Sequence, residues 1–265
     1  HRFGFPEIAA KLPYSVVVLD AKMQRNLVAN ASLARRRIGK LHHDICAAFK
    51  FHVAVYQRWR RREAKGNVII LRFADDIVTG FEHEADARRF WEAMRLRFEQ
   101  FSLVLHPEKT RLLEFGRYAA VKRRLRGLGK PETFTFLGCT FICGKFRRGA
   151  FQLQRKTRRD RMRAKLREIK VQLRKRMHEP IPEQGRWLKQ VVTGFFAYHA
   201  VPTNARALSA FRHYVTALWR RTLRRRGQKD VMTWARITKI ADDWLPKPRI
   251  RHPWPEQRFA VTHPR

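Results

Sequence analysis

The sequence predicts an α+β protein in which an antiparallel sheet with helices is followed by a basic α-helical domain. Before about residue 152, short apolar runs bounded by turn residues indicate β-strands. After it, apolar residues recur every three or four positions in segments rich in Arg and Lys, which is the period of one helical face. The 265 residues are enough for two domains. We therefore divide the chain into an unassigned segment at 1–60, a mixed region at 61–151 and a helical region at 152–265.

In the mixed region, the apolar runs at 68–73 and 77–81 predict a β-hairpin, because only three residues separate them. The next segment, 82–101, predicts an amphipathic helix with an acidic start, where the helix dipole favours negative charge. Further strands are predicted at 111–115 and 134–143, and at 16–19 in the first segment.

Four helices are predicted in the second region. Pro180 and Pro182 separate the first from the second, because proline lacks the amide hydrogen that a helix needs. Asn204 is suited to cap the start of the third. The segment after residue 244 is too rich in proline for a helix or a central strand. The apolar stripes lie at 162–177, 187–195, 208–219 and 231–244.

The charge of the chain indicates a polyanionic partner. Its 59 Lys and Arg residues against 22 Asp and Glu give a formal net charge of +37, and such a body repels itself unless a polyanion disperses the field. A nucleic acid is the partner that we expect. A membrane partner would need a lipid anchor or a basic helix with an exposed apolar face, and neither is evident, so no membrane association is predicted. The three cysteines argue against a disulfide framework and, without a secretory signal, fit a reducing cytoplasm.

Asp75 and Asp76 stand where the two strands of the predicted hairpin meet. Adjacent carboxylates repel each other, and a divalent cation such as Mg²⁺ relieves that repulsion, because it prefers oxygen ligands. Two such ions are used in nucleotidyl transfer. A solvated acidic turn is the alternative interpretation, and the spacing by itself favours it.

The surroundings of this pair resemble a known family. Phe73-Ala74-Asp75-Asp76 is similar to the aromatic-Ala-Asp-Asp signature of reverse transcriptases, with Phe in place of the usual Tyr. His106-Pro107-Glu108-Lys109-Thr110 looks like the next motif of the group II intron branch, and Phe136-Leu137-Gly138 resembles the hairpin that grips the primer end. The segments at 180–185 and 245–259 look like the maturase thumb. The resemblance covers roughly 56–265 and implies a partial polymerase palm at 61–151 followed by a helical thumb.

The resemblance implies an RNA-directed DNA polymerase and intron maturase that uses Mg²⁺ and deoxynucleoside triphosphates. Its partners would be group II intron RNA, the template-primer duplex and DNA. The implied roles are metal binding by Asp75 and Asp76, contact with the triphosphate by Lys109, packing beneath the primer terminus by Phe73 and positioning of the primer backbone by Leu137 and Gly138. Each role has an alternative interpretation: Lys109 as a surface lysine, Phe73 as a core aromatic, and Leu137 and Gly138 as part of an ordinary strand with a bulge.

The family palm also needs a third carboxylate on an earlier strand. Asp20 is the one upstream acid with a strand before it, but it lies close in sequence to Asp75 and no Gly-rich segment separates the two. We therefore expect this chain to lack the third ligand, to be N-terminally incomplete and to be a poor polymerase by itself.

Basic clusters on the predicted helices indicate nucleic-acid contact. Residues 155–178 contain twelve Lys and Arg residues and only two acids, and a second cluster lies at 220–226. A solvated helix face is the alternative, but this density without balancing acids favours structured RNA. The candidate contacts are Arg155, Lys156, Arg158, Arg159, Arg163, Lys170, Arg224 and Arg225.

Three functions remain open from the sequence. The first is a reverse transcriptase fragment, and the second is a non-catalytic maturase that stabilises folded intron RNA. The third is an unrelated basic nuclease or transposase, which would need one more acid near Asp75 and Asp76. A zinc site built from Cys139 and Cys143 with His42, His43 and Cys46 is less favoured than buried small side chains, because the later cysteines have apolar neighbours.

Overall fold

A computed structural model describes residues 59–73, 76–100, 103–108, 110–227 and 232–254, and the backbone of residues 15–25. The chain divides into two compact units. The first contains the described residues up to 136 together with 143–153, and the second contains 137–142 and the residues from 154 onward.

The first unit is built on a five-stranded antiparallel sheet. The central strand is β1, which pairs with β3 on one edge and with β4 and β5 along the other, and β2 pairs with the outer edge of β3. The strands are β1 (Ser15–Arg25), β2 (Val68–Phe73), β3 (Asp76–Phe81), β4 (Leu103–Leu105) and β5 (Arg111–Gly116).

Helix α1 (Glu84–Glu99) supplies much of the apolar core of this unit. Its buried positions Ala87, Phe90, Met94 and Phe98 are spaced by three or four residues, as the apolar period predicts. Phe90 packs on the ring of Trp59 at a centroid distance of 5.0 Å. A short basic helix, α2 (Ala119–Leu125), follows β5 and was not predicted from the sequence.

Asp86 is a buried acid on α1 that binds the loop preceding β2. Its carboxylate accepts hydrogen bonds from the backbone N–H groups of Lys65 and Gly66 and from the guanidinium of Arg89. Burial favours the neutral acid, but these donors outweigh it and lower the pKa of Asp86. The role of Asp86 is therefore to hold the loop before β2 against α1.

The predicted strand at 134–143 is interrupted by a turn. It consists of β6 (Phe134–Phe136) and β7 (Cys139–Lys145), which form a three-stranded sheet with β8 (Phe151–Thr157) in the order β6-β7-β8. Leu137 and Gly138 adopt positive φ angles of 48° and 70°, so the chain reverses there instead of continuing as one strand.

The second unit contains four helices in its described part, as predicted. Their buried faces form one core that includes Ile169, Leu188, Phe211 and Trp219. Among the helices of the described ranges, none combines the length and the apolar character that crossing a bilayer requires. The helices are α3 (Arg159–Lys175), α4 (Ile181–His199), α5 (Ala205–Arg224) and α6 (Trp234–Trp244).

Asn204 occupies the N-cap position of α5, as the sequence suggested, but its side chain makes no capping hydrogen bond to this helix. Its side-chain amide is buried and donates to the Thr157 hydroxyl and to the His199 carbonyl, while its oxygen accepts from the Thr157 N–H. Asn204 therefore ties the end of β8 and the end of α4 to the start of α5. The α+β prediction, with an antiparallel sheet and helices before a basic helical region, is confirmed.

Candidate catalytic site and nucleic-acid-binding surface

Asp76 is the first residue of β3 and is half-buried, whereas the five residues after it are buried. Its Cα partner on β2 is Phe73, and its partner on β1 is Lys22. Phe73 is 52% exposed, which does not fit the alternative of a core aromatic. The hairpin therefore presents an acid and an aromatic ring where it emerges from the core. Asp75 and Lys109 lie outside the described residues.

The register of β1 places Asp20 beside this end of β3. Asp20 pairs with Val78 on β3, two residues along from the pair formed by Lys22 and Asp76. Positions two residues apart share one face of a sheet, so positions 20 and 76 are diagonal neighbours, which are typically about 7–8 Å apart. The separation of positions 20 and 76 in the sequence did not indicate that the two lie close together in the sheet.

Histidine and cysteine do not complete a metal site within the described side chains. No group of three or more His, Cys, Asp or Glu residues comes together in that part of the chain, which includes neither the Asp75 side chain nor that of Asp20. Cys139 and Cys143 are free thiols, and burial raises the pKa of each to about 11. The Sγ of Cys143 accepts a hydrogen bond from the Gly116 N–H at 3.3 Å. Cys139 is buried and Cys143 is half-buried, so both have the protonated character of structural residues. His42, His43 and Cys46 lie outside the described residues.

The loop that carries Lys109 connects β4 to β5. The Thr110 N–H donates to the His106 carbonyl at 2.9 Å, which closes the loop as a single turn. Thr110 is buried, whereas Glu108 and the first residue of β5, Arg111, are exposed.

The Leu137–Gly138 turn is anchored within the second unit. The Tyr198 hydroxyl donates to the Leu137 carbonyl at 2.9 Å, and the Arg158 N–H donates to the Gly138 carbonyl at 3.1 Å. The neighbouring His199 is buried, which lowers its pKa to about 4 and keeps it neutral at pH 7. Sequence reasoning missed Tyr198, because an aromatic near a helix end carries no local signal of a partner 61 residues earlier.

The candidate nucleic-acid contacts are mostly exposed, with one correction. Arg155 is only 6% exposed, and its backbone N–H donates to the Thr203 hydroxyl, so its prediction as a surface contact does not fit its burial. Arg158 is half-buried and pairs with Asp160 at 2.6 Å. The remaining candidates, Lys156, Arg159, Arg163, Lys170, Arg224 and Arg225, are all exposed.

The structure brings only some of these cations together. Arg163 and Lys170 line one cavity of about 570 Å³ between α3 and α5, with Arg167 and Arg221 beside them. Arg224 lies at the end of α5 and Arg225 follows it. Arg167 and Arg221 were not singled out as contacts by the sequence, and helical spacing from Arg163 and Lys170 is the signal that could have identified Arg167.

Comparison with known proteins identifies a domain in the first part of the chain. Residues 46–141 match the model of the family described as reverse transcriptase (RNA-dependent DNA polymerase). The match includes the β2–β3 hairpin, the loop with Lys109 and the strand before the Leu137–Gly138 turn, and it covers just over a third of the chain. No curated protein matches the chain.

Proposed function

We propose that this chain is an RNA-directed DNA polymerase and maturase of the group II intron type. Residues 61–151 would form the C-terminal part of the palm, and residues 152–265 would form the thumb. The proposal is supported by the reverse transcriptase match at 46–141 and by the motif order that resembles the group II intron branch. The observation that carries it is the β2–β3 hairpin, which holds Asp76 at its end beside an exposed Phe73.

Asp75 and Asp76 would hold Mg²⁺, and Asp20 is the candidate for the third carboxylate. The donor set fits this ion, because carboxylate oxygens are the ligands that Mg²⁺ takes, and the β1–β3 register makes positions 20 and 76 diagonal neighbours on one face of the sheet. Bound metal ions would stabilise the attacking and leaving oxygens of nucleotidyl transfer. In this proposal Asp20 would supply the third carboxylate that we expected the chain to lack.

The other residues of the chain would bind and orient the substrates. Lys109 would contact the triphosphate of the incoming deoxynucleotide, and Phe73 would pack beneath the primer terminus. Leu137 and Gly138 would position the primer backbone. Such positioning groups contribute to catalysis by holding the reacting atoms in place.

A non-catalytic maturase is the second candidate function. The observation in its favour is the second unit, whose exposed cations on α3 and α5 would bind intron RNA without any contribution from Asp76. RNA binding by a maturase depends on the cations of α3 and α5, whereas polymerase activity also depends on Asp76. Variants of Asp76 therefore distinguish the two functions.

Primer extension on an RNA template tests the polymerase. We expect Asp75→Ala, Asp76→Ala and Asp20→Asn each to lower the extension rate by about two orders of magnitude or more, because each removes stabilisation of charge at the reacting phosphate. Glu132→Gln is the matched control, since Glu132 is an exposed acid of the same unit, and it should extend at the wild-type rate.

RNA binding and thermal unfolding are measured on the same four proteins. Both should stay at wild-type values, because none of the four substituted residues lies on the basic helices and Asp20→Asn keeps the size of the side chain on β1. Extension that survives the Asp75 and Asp76 substitutions contradicts the metal site. Wild-type protein that binds intron RNA tightly but extends no primer favours the non-catalytic maturase.

A further inference from the structure

The second unit contains a groove between α3 and α5 that the proposed polymerase chemistry does not use. Its volume of about 570 Å³ lies within the range of ligand-binding clefts. Leu166 of α3 and Leu218 of α5 line it and are half-buried, so the groove has an apolar component.

Four cations surround this apolar lining: Arg163, Arg167 and Lys170 of α3, and Arg221 of α5. The lining residues include no carboxylate. Two acids of α3 are paired elsewhere, Asp160 with Arg158 and Glu168 with Lys165. The four cations therefore make the groove positively charged, and an anionic ligand is attracted to it.

Tyr214 adds an aromatic wall to the same groove. Its side chain is 49% exposed although it lies on a helix whose other large apolar residues are mostly buried. The ring is in contact with His213 at a centroid distance of 5.9 Å, and His213 stacks on Trp234 at 5.6 Å with an interplanar angle of 5°. Trp234 is 45% exposed, and the guanidinium of Arg220 lies 5.1 Å from the centre of its ring.

The combination of cations and exposed rings selects among anionic ligands. A free phosphate or a duplex backbone needs the cations but makes no use of Tyr214, because the bases of a duplex are stacked on each other. An unpaired nucleotide uses both, since its base stacks on an aromatic ring while its phosphates meet basic side chains.

We propose that this groove binds an unpaired nucleotide segment of RNA, with one base stacked on Tyr214 and the flanking phosphates held by Arg163, Arg167, Lys170 and Arg221. The inference rests on the proposed function in taking RNA as the natural ligand, but it does not require polymerase activity. It differs from recognition of structured RNA by shape alone, which the charge pattern suggested.

Fluorescence anisotropy of the full chain with a labelled twelve-residue oligoadenylate tests the inference. We expect Tyr214→Ala to weaken binding of the unpaired strand about 5- to 150-fold, which corresponds to the loss of one base-aromatic stack. Tyr214→Phe should bind as the wild type does, because the ring is kept. The same oligoadenylate paired with oligouridylate should bind Tyr214→Ala and the wild type equally.

Matched controls separate stacking from folding and from general charge. Tyr118→Ala removes another exposed tyrosine, in the first unit, and should leave the affinity unchanged. Tyr214→Leu keeps apolar bulk without a ring and should lose affinity as Tyr214→Ala does. The corresponding deoxyoligonucleotide should show the same dependence on Tyr214, because stacking and phosphate contacts do not need the 2′-hydroxyl. Equal affinities of Tyr214→Ala and wild type for the unpaired strand would overturn the inference, and so would equal losses on both the strand and the duplex.

Photocrosslinking provides a measurement on the unsubstituted protein. An oligonucleotide with one 5-bromouridine should crosslink to Tyr214, and crosslinks confined to other residues contradict the inference. Asp76→Ala should crosslink as the wild type does. If Asp76→Ala and the wild type are equally inactive in primer extension, the polymerase proposal fails. The crosslink to Tyr214 still decides whether the groove binds an unpaired nucleotide.

Discussion

Gly185 shows how one residue type is required by packing in the helical unit. A Cβ added to this buried position of α4 would come within 3.0 Å of three atoms of the Trp244 ring. Because Trp244 packs against the core, the ring has little room to withdraw. Glycine is therefore needed here for the close approach of α4 and α6.

We expect Gly185→Ala to lower the free energy of unfolding by about 1–3 kcal/mol, the usual cost of overpacking. Gly194→Ala is the control on the same helix: it is exposed and its Cβ would meet nothing within 4 Å, so it should stabilise by about 0.5–1 kcal/mol. Thermal and urea unfolding of the two variants measure the difference. Equal stabilities would show that Trp244 moves freely.

The burial of other residues follows less well from the local sequence. Arg155 belongs to a run of cations and was expected on the surface, but it alternates with exposed Lys156 on β8 and points into the protein. Charge in a sequence indicates a solvated position only on average, and the strand period of two overrode it here.

At the scale of elements, the Leu137–Gly138 turn is the clearest link between local conformation and the proposed site. Gly138 has a φ of 70°, which disfavours side chains with a Cβ, although a Cβ there would make only ordinary contacts with Tyr198 and His199. The strain of a substitution would therefore come from the backbone rather than from a clash.

We expect Gly138→Ala to cost about 1–2 kcal/mol of stability, the price of a left-handed conformation for a residue with a Cβ. If the turn positions the primer, the rate of primer extension should also fall at a temperature where the variant is still fully folded. The loss of stability cannot explain such a decrease. Gly129→Ala, in an exposed loop with a φ outside the left-handed region, should leave both quantities unchanged. A fully active Gly138→Ala variant would contradict the positioning role.

Most elements were predicted because their signal is local. Helix α1 and the four helices of the second unit follow from apolar stripes, and β2 and β3 follow from two apolar runs with a short connection. α2 was missed because it has only seven residues and no apolar stripe. β4 and β8 were not predicted either, because β4 has only three residues and β8 is mostly polar. β1 was predicted as 16–19 but extends over Ser15–Arg25, because its later residues pair with β3 and β4 although they are mostly polar.

At the scale of the whole molecule, the net charge of +37 dominates binding to any nucleic acid. Each phosphate neutralised by Lys or Arg releases counterions, so the affinity falls steeply with salt. The described cations are spread over the helices of the second unit, which favours many simultaneous phosphate contacts.

We expect the affinity for a structured RNA to fall by about 10³-fold or more between 50 mM and 200 mM salt, as for a protein with six or more phosphate contacts. Lys170→Gln should lower the magnitude of the log–log slope by about one, whereas Asp76→Asn should leave it unchanged. Filter binding or anisotropy over a salt series measures this. A shallow slope would mean that few of the cations contact phosphate.

The sequence by itself determined the longer helices and their order, the acidic hairpin and the basic character of the helical region, because periodicity, turn residues and charge are properties of neighbouring positions. Tertiary structure decided which distant residues meet. It placed Asp20 on the strand beside Asp76 and brought Tyr214 to the cations of α3, about 50 residues earlier in the chain. The physical reason is that strand register and helix packing depend on the burial of whole faces, which no local pattern specifies.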